Sequence, residues 1–218
     1  PDPVIYYDFE NGSGITVLDK SGNDYHGTLN YEAWDTDGFQ GSCLNFDGTS
    51  YVSVPDSAMS VFNESFTVSF WIKGDIVSQP QDPPAMPFGA YTNIGRIVPR
   101  CPYLTGDVTI TVWEGSAKNQ AKWESAQASD WEGIWNHYTF VKDAEASKLY
   151  IYHNGFLGAS SDVSISTLGL NSFKIGASYA GDQKYKGRID DFKLWNQALS
   201  QDEILAASGY KTELKKKL

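Results

Sequence analysis

Residues 65–74, SFTVSFWIKG, alternate without a break: Phe66, Val68, Phe70 and Ile72 fall on one parity, Thr67, Ser69, Trp71 and Lys73 on the other. A period of two, apolar on one side, marks a strand that turns one face to a core. The same pattern recurs in VIYYDF (4–9), CLNFDG (43–48), YVSVP (51–55), DVTITVWEG (107–115), NHYTFVKD (136–143), KLYIYHNG (148–155), SFKIGAS (172–178) and GRIDDFKLW (187–195). Many short alternating strands with turn residues between them fold as an antiparallel sandwich or barrel, so the chain is expected to be all-β. No Pro/Gly/Ser-rich or charged linker divides it, and residues 1–210 read as a single domain with 211–218 as a tail or linker.

One helix is expected, at the end. In LSQDEILAASGY, Ser200 and Glu203 form a capping box, Ile204 and Leu205 supply a small apolar face, and Gly209 stands where a left-handed residue stops the helix. Two stretches depart from the strand pattern. Residues 74–105 hold most of the prolines and read as a long loop with one short strand at NIGRIV, and 114–135 is a polar segment rich in tryptophan. Long loops inside compact domains are often functional.

The net charge of −10 excludes a phosphate backbone as the natural partner, because nucleic-acid binding draws on Lys and Arg, and it disfavours anionic membranes. No run approaches the ~18 apolar residues of a membrane span, and no signal peptide opens the chain. The opening PDPVIYYDFE reads as a linker end entering a first strand, as in a domain of a longer protein. The two cysteines, Cys43 and Cys101, fit no zinc or redox spacing; they are either two buried thiols or one disulfide of an exported protein.

The adjacent Asp190 and Asp191 interrupt the last strand. By parity Asp190 shares a face with Phe192 and Leu194, and Asp191 with Ile189, Lys193 and Trp195. A carboxylate on a buried face needs a partner, whether a cation, backbone amides or a metal.

The ordered series YYDFENGSGITVLDKSGNDYHGTL, CLNFDGTSYVSVPDS, SFTVSFWIK, WNHYTFVKD with KLYIYHNG, and YKGRIDDFKLWNQALSQDEI resembles the motifs of the laminin G-like, concanavalin A-like lectin/glucanase superfamily of bacterial extracellular proteins. The resemblance covers the chain except for 74–105 and 114–131. It implies a jelly-roll sandwich of two antiparallel sheets, secreted or at the cell surface, used as a non-catalytic carbohydrate-binding module tethered to a glycan-active catalytic domain. Laminin G-like domains also serve as protein-adhesion or structural modules, which is the alternative reading.

The family often carries a structural calcium ion, which takes six to eight oxygen ligands. The candidate ligands are Asp19 and Asn23 in the turn LDKSGNDYHG, with Asp24 beside them, completed by Asp190 or Asp191 from the last strand. The other reading of the turn is that Asp19 and Asn23 cap their own backbone. Enzymes share this fold, but the hydrolase pattern E-x-D-x-x-E and the lyase Gln-x-His are both absent, so no catalytic residue is assigned.

Sugar recognition rests on aromatic rings rimmed by hydrogen-bonding groups. The family motifs account for Trp71, Trp135 and Trp195 as scaffold. They do not account for Trp113, Trp123 and Trp131, or for Tyr91, Arg96, Arg100 and Tyr103 in the insertion, and these seven are the expected ligand-binding residues, for an oligo- or polysaccharide. Tyr179, Asp182 and Lys184 are rim candidates. The site is expected at a loop-built edge, and the acidic balance points to a neutral glycan rather than a sulfated or uronic one, a preference that calcium bridging would reverse.

Overall fold

The computed structural model describes residues 1–82, 84–166 and 169–209; the expected tail at 211–218 lies outside them. In chain order the strands are β1 (Ile5–Tyr7), β2 (Thr16–Val17), β3 (Gly27–Leu29), β4 (Trp34–Asp35), β5 (Cys43–Asp47), β6 (Val52–Val54), β7 (Phe66–Gly74), β8 (Phe88–Tyr91), β9 (Gly95–Arg100), β10 (Val108–Glu114), β11 (Ala117–Trp123), β12 (Asn136–Asp143), β13 (Lys148–His153), β14 (Phe156–Asp162), β15 (Ser172–Ile175) and β16 (Lys186–Trp195). They form two antiparallel sheets of the expected jelly-roll kind. The first runs β14-β13-β12-β7-β16-β5-β4 with β1 on β16, and the second runs β11-β10-β9-β8-β15-β6-β3-β2.

The core lies between the sheets, where Phe66, Val68, Phe70 and Ile72 of β7 meet Ile97 of β9, Ile110 and Val112 of β10 and Phe173 of β15. Phe88 sits at its centre, edge-on to Phe70, Phe140, Phe173 and Phe192 with ring centroids 5.8 to 6.0 Å apart. Such tilted and edge-to-face pairs are the favoured arrangement for aromatic quadrupoles.

The two segments that depart from the alternating pattern carry three strands, one of them the short strand expected at NIGRIV. Residues 88–91 and 95–100 form β8 and β9, and 117–123 form β11, hydrogen-bonded to β10 from Val108↔Trp123 to Glu114↔Ala117. The period of two is weak here because β8 and β9 are short and contain Gly89, Gly95 and Pro99, while β11 is exposed along most of its length and buries only Ala121.

The helix α1 (Gln201–Ala207) begins as expected: Ser200 accepts from the Glu203 amide and the Glu203 carboxylate accepts from the Ser200 amide. It covers a second, smaller apolar cluster of Val141, Tyr152, Trp195, Leu199 and Ile204 on the outer face of the first sheet. Trp71 faces outward by parity yet is buried, stacked on Phe39 at 3.5 Å with its Nε1 donating to the Ser208 carbonyl at 3.1 Å. Trp71 and Trp195 are therefore scaffold.

Cys43, at the start of β5, and Cys101, just past the end of β9, are both buried and free. Burial pushes both thiols up, which makes them inert core groups.

Because Phe88 joins both sheets, Phe88→Ala is expected to destabilise the domain by about 3–5 kcal/mol. Urea unfolding measures this, and a loss below about 1 kcal/mol would show that the core closes without it.

Candidate functional site

The outer face of β9, β10 and β11 is a polar grid set by strand register. Arg96, Trp113 and Lys118 lie in one row, Val98, Thr111 and Gln120 in the next, and Arg100, Thr109 and Lys122 in the third. The alternate residues Ile97, Val108, Ile110, Val112 and Ala121 point into the core. The outer face is consequently held flat and rigid from behind.

Two adjoining clefts run over this grid. One, of about 440 Å³, continues from the three rows to Tyr103, Thr105 and Asp107. The other, of about 250 Å³, extends past Arg96, Arg100 and Trp113 to Met86, Ser178, Tyr179, Asp182 and Gln183. Val98, Arg100 and Trp113 line both, so the two make one trough.

The Arg96 guanidinium lies 4.9 Å and the Lys118 ammonium 5.4 Å from the Trp113 ring centroid, as cations over an aromatic face do. Arg100 is buried, donates from Nη2 to Gln183 Oε1 at 2.9 Å, and leaves Nη1 without a partner. Burial lowers its pKa to about 10. Asp107 accepts from Thr105 and pairs with Lys122 at 2.9 Å, and Asp182 accepts from Ser178 and the Gln183 amide; these bonds hold both carboxyls below the usual carboxylate range.

Of the seven expected ligand-binding residues, Arg96, Arg100, Tyr103 and Trp113 line the trough, and Tyr91 backs it, stacked at 4.0 Å on Tyr179. Trp123 and Trp131 do not belong to it. Trp131 is buried against the core, and its carbonyl accepts from Gly74 at 2.9 Å, an approach that leaves no room for a Cβ on that glycine. Trp123 packs against the core edge over Gly158, 5.0 Å from the His153 ring, with its Nε1 donating to Ser125. Both tryptophans fasten the β10-β11 hairpin and the segment after it, so they are structural.

The trough, the candidate site, lies over a sheet face, with a loop-built rim at Tyr103, Thr105 and Asp107 and at 178–183. Sequence reasoning missed Thr105, Asp107, Thr109, Thr111, Lys118, Gln120 and Lys122. The signal for Thr109, Thr111, Lys118, Gln120 and Lys122 is the outward parity of TITVW and KNQAK, legible once those stretches are known to pair; Thr105 and Asp107, ahead of β10, carry no such signal. Of the rim candidates, Tyr179 and Asp182 line the trough, whereas Lys184 points toward the Tyr51 ring, 6.0 Å away.

The proposed calcium ligands do not converge. Both Asp19 oxygens are engaged by hydrogen-bond donors: Oδ1 by the amides of Tyr6 (2.9 Å) and Ser21 (3.0 Å), Oδ2 by the Ser21 hydroxyl (2.7 Å) and the Tyr25 amide (3.0 Å). Asn23 uses its amide group to donate to the Val4 carbonyl. Asp190 accepts from the amides of Gln40 (3.1 Å) and Asp191 (2.7 Å). Among the described residues no three His, Cys, Asp or Glu side chains cluster as a metal site. N–H and O–H donors engage the carboxyl oxygens of Asp19 and Asp190 that a cation would need, and the Asn23 NH2 group is held by Val4 and Ser21, so Asp19, Asn23 and Asp190 do not fit calcium as a set.

Asp190 also lies on the opposite face from that given by parity. It pairs with Trp71, while Ile189 pairs with Ile72 and Phe192 and Leu194 are core. A bulge between Asp190 and Lys193, with Asp191 at φ +52°, inserts the extra residue that reverses the alternation. The Asp190 carboxylate thus pins the Gln40 amide, beside the Phe39 that covers Trp71.

Over residues 46–205 the chain matches the family model described as the concanavalin A-like lectin/glucanases superfamily, a laminin G type, and it belongs to that family. Domain 4 of an extracellular arabinanase from Geobacillus stearothermophilus, solved in complex with arabinotriose, superposes with a TM-score of 0.75 at 20% identity, over 94% of this chain and 98% of that one. The receptor-binding domain of botulinum neurotoxin mosaic serotype C/D gives 0.72 at 14% identity over 95% of this chain, which spans about half (51%) of that structure. The binding domain of botulinum neurotoxin DC in complex with SialylT gives 0.66 at 16% identity, over 96% of this chain and 52% of that one. These likenesses establish the fold. No curated protein matches the chain.

Two outcomes follow. Asp19→Ala strands the amides of Tyr6, Ser21 and Tyr25 and is expected to cost about 2–4 kcal/mol in urea unfolding, whereas EDTA leaves the melting temperature unchanged; a fall reversed by calcium would restore the ion. Burial pushes the Asp190 carboxyl from its ordinary 3.8 up to about 7. A raised folded value means the contribution of the neutral carboxyl is full below the unfolded pKa, about 4, and is lost as pH rises toward 7. Asp190→Asn should therefore flatten the stability profile across that window, and identical profiles for the two proteins would rule this out.

Proposed function

We propose that the chain is a non-catalytic carbohydrate-binding module of a secreted, glycan-active protein, and that the trough on β9, β10 and β11 is its ligand site. The observation that carries the reading is the rigid grid itself. An aromatic wall at Trp113, stacked tyrosines at one rim and rows of Thr, Gln, Lys and Arg side chains provide both the apolar contact and the directional hydrogen bonds that a saccharide needs. The arabinanase domain of the same fold, solved with arabinotriose, supports the ligand class and the tethering to an extracellular enzyme.

The acid–base groups support a binding role. Glycoside hydrolysis needs one carboxyl held protonated beside a second, and both carboxyls in the trough are shifted the other way. None of the three histidines lines the trough. His26 accepts from the Asp19 amide, His153 bonds Asn136, and His137 is fully buried beside Trp71, its pKa lowered to about 3 by desolvation.

Trp113→Ala is expected to weaken saccharide binding by roughly tenfold or more, taking aromatic stacking on a nucleobase as the guide to magnitude. The half-buried position of Trp113 leaves the melting temperature nearly unchanged, whereas Trp131→Ala lowers it. Calorimetry against soluble oligosaccharides, neutral and acidic, checks this. Binding that ignores Trp113 would place the site elsewhere, and no binding to any saccharide would favour the adhesion reading.

A further inference from the structure

The chain carries 27 Asp and Glu against 17 Lys and Arg, yet the trough reverses that balance with four cations, Arg96, Arg100, Lys118 and Lys122, and two carboxylates, Asp107 and Asp182. The register places the four at the corners of the grid, two beside Trp113 and two beside Thr109. The corners differ in how far they are satisfied. Lys122 is already paired with Asp107 and with Glu124, each at 2.9 Å. Arg96 and Lys118 have no acidic partner among the described residues, and their one strong contact is the Trp113 ring between them. Arg100 is buried with Nη1 lacking an acceptor, an arrangement that costs free energy until something fills it.

A neutral sugar supplies hydroxyl groups, which can satisfy one guanidinium N–H but do nothing for the two uncompensated charges of Arg96 and Lys118, which share a face with Arg100, itself facing the Asp182 carboxylate. An anionic group supplies what they lack, and a planar guanidinium meets a carboxylate or a sulfate with two parallel hydrogen bonds. The two cations over Trp113 bear on this as well. They set positive charge beside the ring that a sugar would meet, so this end of the trough combines the Trp113 wall with a site for an anionic group.

Building on the carbohydrate-binding reading, we propose that the trough selects an acidic saccharide, an oligosaccharide bearing carboxylate or sulfate groups, with Arg96 and Lys118 receiving one anionic group and Arg100 another. Arg96 and Arg100 stand four residues apart on one strand, about 13 Å, so a ligand that reaches both is an oligosaccharide and not a single sugar. The net charge of the chain favours a neutral ligand, and the local field at this face overrides it, because screening confines each charge to about 10 Å in ordinary buffer.

The test is calorimetry with four probes: an oligogalacturonate, its methyl ester, a sulfated galactan oligosaccharide and arabinotriose. Esterification keeps the sugar and removes the charge. The expected result is that the oligogalacturonate or the sulfated galactan binds at least about tenfold tighter than the ester and arabinotriose and weakens with added salt. Whichever of the two acidic probes binds identifies carboxylate or sulfate as the recognised group. The double variant Arg96→Gln with Lys118→Gln should lose this preference while keeping its melting temperature. Equal or better binding of the ester or of arabinotriose, or a preference that survives in the double variant, overturns the selection for charge and leaves carbohydrate binding intact. If none of the four binds, the carbohydrate-binding reading falls and this inference with it.

Discussion

The packing of Phe88 against Phe70, Phe140, Phe173 and Phe192 is the contact on which the rest of the molecule depends. Phe88 opens β8, the strand that ties one half of the second sheet, β9 to β11, to the half made of β15, β6, β3 and β2. Without that anchor the segment 88–123 has no reason to continue the sheet. With it, each strand registers on the last, and side chains scattered between positions 96 and 122 are brought into three rows. A binding surface made in this way inherits the rigidity of the core behind it, which loops do not offer.

Away from the trough, carboxylates that invite a metal interpretation serve the backbone. Asp19, in the turn between β2 and β3, gathers three amides, among them that of Tyr6 in β1, and a hydroxyl, and Asp190 holds the loop that caps Trp71. Each replaces water for buried N–H groups that have no strand partner, its carboxyl oxygens serving as the acceptors. The same logic separates the tryptophans. Trp131 and Trp123 fill space left by glycines near the hairpin, while Trp113, on the parity opposite to Val112, is left half-exposed at the trough wall.

Local chemistry decided much of this in advance. Alternation placed nine of the strands to within a few residues, parity chose the core face of β7, the S-x-x-E box set the start of α1, and the ordered motifs indicated the family. Such features were legible because period, capping and turn chemistry act between residues close in the chain. Arg96, Arg100, Tyr103 and Trp113 were also within reach, as residues that the motifs left without a scaffold role.

What only the tertiary structure decided were relations between residues far apart in sequence. Whether 88–100 and 117–123 are loop or strand depended on partners supplied by β15 and β10, and whether a tryptophan is wall or core depended on a glycine across the sheet. The bulge that moves Asp190 out of the core face is invisible to a parity count, since one left-handed residue at Asp191 inverts everything after it. The gathering of cations in an acidic chain belongs here too: composition sums charge over the whole molecule, whereas the field a ligand meets is set by which side chains the register places within a Debye length of one another.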